Sequence, residues 1–245
     1  MARTLILLCI LASSNTWAAT LHYVGTAYSL VDKKPVYSEH YAEQFDTQAR
    51  PLACSVTYRD TNDQLVATKS LDYARHPYAP AFRFSNQRTG YQESVEWLDD
   101  GRLRLTHQDK GARRQEKILQ VGEPVVADAG FNNYIRDHLP ALLQGETLAF
   151  NFLNPARLDW FRFTATLISQ TPQAVTVKVA PANTLLSWLV SPIELVYSKT
   201  DQRLLEYRGL TNISLDGSSN VSGNIYYQYQ DSTLSALLPS PDRIE

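Results

Sequence analysis

The chain has 245 residues, with 23 Lys and Arg against 25 Asp and Glu, a formal net charge of −2. That balance excludes a general polyanion binder. Two cysteines, Cys9 and Cys54, exclude a disulfide framework, and no apolar run reaches the roughly 20 residues that a membrane-crossing helix needs.

The first 18 residues read as a secretory leader. Arg3 supplies the positive start, residues 5–12 a short apolar run, and Thr16-Trp17-Ala18 a cleavage site after Ala18. Cys9 follows Leu-Ile-Leu-Leu rather than small residues, so it does not read as a lipid-attachment site. Residues 19–245 then form a single β-rich domain exported to a periplasm, with a net charge of −3 once Arg3 is gone. Cys54 lies in the strand-like run Leu-Ala-Cys-Ser-Val and reads as an inert, buried thiol.

Residues 21–31 and 36–46 predict two strands joined by Asp32-Lys33-Lys34-Pro35. In the second, Tyr37, Glu39, Tyr41, Glu43 and Phe45 share one face, and Val36, Ser38, His40, Ala42 and Gln44 the other. Neither face is cleanly apolar, which suits a curved sheet with a partly dry interior. Strands follow at 53–58 and 64–71, with Asp60-Thr61-Asn62-Asp63 as the turn, then at 82–84, 91–98 and 102–107. Asp99-Asp100-Gly101 marks a hairpin. The basic stretch from Arg102 to Lys117 reads as a solvated hairpin whose charges block edge pairing. Residues 118–126 predict one further strand.

Between residues 128 and 143, Phe131, Tyr134, Ile135, Leu139, Leu142 and Leu143 make an apolar stripe of helical period. Asp128 is placed to cap its start. Pro140 removes a donor and crowds the preceding turn, so the helix should kink or break with Pro140 opening a second piece. Gly145 suits the stop. The helix face Arg136-Asp137-His138 reads as solvated, since adjacent helical residues diverge by about 100° and cannot form a dyad. From residue 148 the period changes to two. Strands follow at 148–152, 160–168, 174–180, 193–197, 203–207, 210–215 and 221–229. The fold class is mainly β: a single curved antiparallel sheet, a half-barrel or open barrel of about a dozen strands, with one kinked helical insertion.

No nucleophile elbow, paired-histidine metal motif, phosphate loop or Cys-x-x-Cys is present, and the five histidines are scattered. No catalytic residue, metal site, cofactor or nucleic-acid partner is therefore assigned. A curved sheet too large to fill its own interior leaves a cavity that a kinked helix can cover. Phe131, Tyr134, Ile135, Leu139, Phe150, Phe161 and Phe163 are its candidate lining, for an apolar small molecule or lipid. Trp188 and Leu189, in the apolar run at 184–192, are candidates for transient contact with a membrane surface. A non-enzymatic envelope protein with a filled core is the alternative, and an enzyme of unrecognised type a third.

Three stretches carry a family likeness. The helix at 134–143 runs through Gln144-Gly145-Glu146 into Thr147-Leu148-Ala149-Phe150. Late in the chain, Pro192-Ile193-Glu194-Leu195-Val196-Tyr197 is followed by Gln202-Arg203-Leu204-Leu205-Glu206-Tyr207. In this order of elements the chain resembles the periplasmic lipoprotein carriers (LolA/LolB-like half-barrels) and a related group of exported β-rich proteins. The resemblance implies a strongly curved antiparallel half-barrel whose open side is plugged by helices over an apolar cavity, and it implies no catalytic residue. One departure is that no lipid-modified cysteine directly follows the leader, unlike in the membrane-anchored members.

Overall fold

A computed structural model of the chain describes residues 19–183 and 191–230. The proposed leader, residues 1–18, lies outside them. The described residues are mainly β and form one sheet of fifteen strands, more than the dozen expected. The chain enters at the middle of this sheet, with β1 (Ala19–Ser29). It then meanders outward through β2 (Pro35–Phe45), β3 (Pro51–Asp60), β4 (Leu65–Asp72), β5 (Ala81–Asn86), β6 (Gln92–Trp97), β7 (Leu103–Gln108) and β8 (Gln115–Leu119). From that edge it crosses to the opposite edge, β9 (Val125–Val126). The helices α1 (Gly130–Asp137) and α2 (Leu139–Leu143) follow.

The return meander runs through β10 (Leu148–Asn154), β11 (Asp159–Gln170), β12 (Ala174–Pro181), β13 (Ile193–Ser198), β14 (Leu204–Ser214) and β15 (Asn220–Tyr229). It ends with β15 paired antiparallel to β1. Every pair in the described sheet is antiparallel except β9 with β10. That pair is joined by α1 and α2, the crossover a parallel connection needs. The sheet curls until its edges approach. Leu103 and Leu105 of β7 share a core with Val125 of β9 and Leu153 of β10, and Lys117 of β8 lies 3.7 Å from Asp159. The two edge strands are not hydrogen-bonded neighbours, so the barrel is open.

Two expected strands come out differently. The run 118–126 divides between β8 and β9, because Gly122 and Pro124 interrupt it and the halves belong to opposite edges. The runs 203–207 and 210–215 are one strand, β14, which passes through Gly209 in register and is irregular between Leu210 and Ser214. At Gly209 φ is +145°, and a Cβ would lie 2.6 Å from Ile193 Cγ2, so only glycine lets the strand continue. The charged hairpin at 102–117 is edge structure as expected, with Gln115, Glu116 and Lys117 of β8 exposed.

The helical stretch breaks at His138, and Pro140 opens α2. It ends in a Schellman motif at Gly145 (φ +88°). Gly145 N donates to Leu142 O (3.0 Å) and Glu146 N to Ala141 O (3.1 Å). Tyr134, Ile135, Leu139 and Leu142 are buried and Phe131 half-buried, but Leu143 faces solvent. The stripe ends there because, at about 100° per residue, Leu143 lies at its far edge, past Leu139 and Leu142, in the last turn of α2. Asp128 is not the cap either. Ala129 holds that position, without a side-chain bond, and Asp128 sits in the left-handed region at φ +43°. Its carboxylate is used by Lys69 instead.

Candidate functional site

The interior of the first meander is polar at its centre. Cross-strand register places Tyr229, Tyr23, Tyr41, Val56, Lys69, Phe84 and Glu93 in one row across seven neighbouring strands. The next row runs Tyr227, Gly25, Glu39, Tyr58. Gly25 makes room for the ring beside it: a Cβ there would lie 2.8 Å from Tyr227 Cε1. Lys69 is buried, and its Nζ donates to both Asp128 oxygens, at 2.8 and 2.7 Å. The same Nζ lies 5.7 Å from the centroids of Tyr58 and Phe84, within cation–π reach.

Glu39 accepts from Tyr41 Oη at 2.6 Å and Tyr37 Oη at 3.2 Å. Glu93 accepts from Tyr91 Oη at 2.7 Å. Burial raises the proton affinity of both carboxyls, against the tyrosine bonds and the charge of Lys69. One buried lysine thus faces three carboxyl groups, and the phenols around them are pushed above their ordinary range by loss of water. This ties β4 to the turn that launches α1. The launch itself is tight, because a Cβ on Gly130 would lie 2.2 Å from Tyr78 O.

The second meander holds the expected lining residues. Tyr134, Ile135, Leu139 and Phe150 are buried in one apolar cluster with Val175, Val177, Val179 and Leu195, and half-buried Phe131 and Phe163 pack against it. Ring centroids stand 5.4 Å apart for Tyr134 and Phe150, and 6.3 Å for Phe150 and Phe163. Six of the seven residues therefore meet beneath the helices, whereas Phe161 is half-buried outside that cluster. Trp188 and Leu189 lie outside the described residues.

A pocket enclosing about 30 Å³ opens at the end of the barrel where β1 begins and β2 ends. That is room for about two water molecules. Leu21, Phe45 and Leu204 give it apolar walls, and Glu43, Arg136 and Arg203 bring charge. Arg136 projects from α1 and its side chain is only 17% exposed, so the solvated-face reading fails for it. Its Nε donates to Asp137 at 3.4 Å. It sits one turn after Asn132, which also lines the pocket and accepts from Tyr197 Oη at 3.0 Å. That polar i, i+4 pair beside the apolar stripe was the available signal.

Arg203 lies over the Tyr229 ring at 4.9 Å. Its Nε and Nη2 are buried without a hydrogen-bond acceptor, although Nε stands 3.4 Å from Asp201. Glu43 is 8% exposed and meets no hydrogen-bond donor among the described residues. Burial raises its proton affinity, and the nearby Arg136 opposes that rise.

No family model matches this chain, and no curated protein matches it. Among solved structures the chain is similar to a β-barrel-like protein of domain of unknown function DUF1849 from Brucella abortus. The alignment covers 86% of this chain and 97% of that one, at 7% identity and a TM-score of 0.38.

Proposed function

We propose that the protein is an exported envelope protein that binds or carries an amphipathic molecule, a lipid or acyl chain, beneath the helix pair. The observation that carries this reading is the cover itself. Two short helices, rather than further strands, close the apolar face of β10–β13, and they do so through the aromatic cluster around Phe150. α1 is tied at its start by Lys69 to Asp128 and along its length by Asn132 to Tyr197, Asn133 to Pro77 and Asp137 to Tyr78, whereas α2 sits on the strands through apolar side chains. An apolar chain would replace the contacts of Phe131, Tyr134 and Phe163 when the helices lift, since the 30 Å³ pocket alone is too small for one. The leader at residues 1–18 and the likeness to periplasmic lipoprotein carriers support the cell envelope as its place of work.

Native mass spectrometry of the full chain, gently extracted and then mixed with membrane lipid, tests this. A mass adduct of one acyl-chain lipid is expected. Protein that neither retains nor takes up lipid sinks the carrier reading. That outcome would favour an envelope interaction protein with a filled core, a reading that the buried Lys69–Asp128 pair supports.

A further inference from the structure

The pocket at the end of the barrel holds charge that the fold satisfies only in part, since its arginines have long 3.4 Å pairings with Asp137 and Asp201. Arg136 and Arg203 reach it from different elements, α1 and the β13–β14 turn. Each guanidinium carries five N–H donors in a rigid fork suited to paired oxygen atoms. Arg136 spends one donor on Asp137, at a long 3.4 Å. The Nε–Nη2 edge of Arg203 makes no hydrogen bond among the described residues, although Asp201, which lines the same pocket, stands 3.4 Å from Nε, and the Tyr229 ring beneath holds the group in place. Buried donors without acceptors are costly, so an edge of this kind points to a missing acceptor.

Glu43 adds a second, independent observation. It is more than nine-tenths buried, lines the same pocket and meets no donor among the described residues. An ionised carboxylate in that position would pair with a guanidinium, yet no ion pair forms between Glu43 and either arginine. A neutral carboxyl carries an O–H that must itself find an acceptor. One group answers both needs, an oxyanion that accepts from two guanidinium forks and from a carboxyl O–H. Leu21, Phe45 and Leu204 beside it offer an apolar wall for whatever the anion is attached to.

We propose that Arg136, Arg203 and Glu43 form a binding site for a single oxyanion, a carboxylate or phosphate, either free or as the head of an amphipathic molecule. The head-group form rests on the binding function proposed above, and the free-anion form does not.

Isothermal titration calorimetry on the full chain separates the cases, using decanoate, decyl phosphate, decanol, acetate and inorganic phosphate as probes. Decanoate or decyl phosphate should bind at least tenfold more tightly than decanol. Binding of acetate or inorganic phosphate as strong as that of the decyl compounds identifies a free anion. A requirement for the chain identifies a head group. Arg203→Met and Arg136→Met should each weaken anion binding about tenfold or more, and Glu43→Gln should retain or tighten it. Thermal melts establish that each variant is folded. Should Arg203→Met not fold, Arg203→Lys keeps the charge but loses the fork, and should show the same loss.

Decanol binding as tightly as decanoate overturns the site while leaving a lipid carrier standing. Anion binding unchanged in both arginine variants also overturns it, as does its loss in Glu43→Gln, since the amide N–H could still donate to the anion. Lipid uptake failing while inorganic phosphate still binds through the arginines removes the carrier and leaves the site.

Discussion

Strands β2–β6 face the interior with Tyr37, Glu39, Tyr41, Tyr58, Lys69, Phe84 and Glu93, whereas β10–β13 face it with Leu148, Phe150, Ala165, Val177 and Leu195. Both belong to one sheet with one curvature. The difference lies in what covers them. Over β10–β13 the helices supply apolar side chains, so small aliphatic residues on the strands complete a dry core. Among the described residues, the apolar core that β2–β6 share contains no side chain of α1 or α2, and long side chains of the strands themselves fill it. Tyr, Lys and Glu have that length, but each brings a polar end that must meet a partner. The result is a core held by a few directional contacts, one of which, Lys69 to Asp128, also holds the start of α1.

The largest expected effect comes from unpairing that contact. Asp128→Asn leaves the ammonium of Lys69 without its counter-charge and should cost about 3–5 kcal/mol in urea unfolding. Asparagine tolerates the left-handed backbone at 128, so the loss would not come from strain. Adding Lys69→Met should recover much of it. A single variant as stable as wild type would mean that the first meander is held by its apolar contacts, like the second.

Next in size is Leu142→Ala. Leu142 is fully buried under the helix pair, and its truncation should cost about 2–5 kcal/mol by loss of burial and the cavity left behind. A cost under 1 kcal/mol would mean that the cover is loosely packed.

The two interiors should also differ in pH response. Burial raises the proton affinity of Glu39 and Glu93, so the folded state binds their protons more tightly than the unfolded chain does. The stability they contribute is therefore present below the ordinary carboxylate range and lost as pH rises through their folded values. Each tenfold change in proton affinity is worth about 1.4 kcal/mol. Glu39→Gln should flatten that decline, as seen in melting temperatures across pH. The half-buried Asp46 and Asp60 shift the opposite way, through bonds to Arg50 and Arg88, and act at lower pH. An unchanged profile in the variant would place Glu39 in water in solution.

The smallest effect is expected at Leu143. It lies past the break at His138 and faces solvent, so Leu143→Ser should change stability by no more than about 0.5 kcal/mol. A larger loss would restore Leu143 to the apolar stripe and make α1 and α2 one continuous face.

Alternation made most strands legible, because a sheet residue's face follows from its parity. The run Tyr37, Glu39, Tyr41, Glu43, Phe45 was readable as one face of a strand with no cleanly apolar side, and the structure turns that face inward. Pro140 and Gly145 were readable because their effects are local to the backbone. The roles of Asp128 and Arg136 were not. A cap and an ion pair use the same carboxylate, and Lys69 lies 59 residues away in sequence. Arg136 read as part of a solvated helix face because it lies outside the apolar stripe, and only the position of β2 and the β13–β14 turn turns it into a pocket.

By itself, then, the sequence determined the β-rich class, the curved meander, the helical interruption and its break, since each follows from periodicity or from a backbone rule acting over a few residues. The tertiary structure alone decided that β1 pairs with β15, that residues 118–126 serve both edges, and that Lys69, Asp128, Glu43, Arg136 and Arg203 find their neighbours. Those outcomes depend on closing loops of tens to hundreds of residues. The entropy of such closure varies only slowly with length, so spacing in the chain carries almost no information about which ends will meet.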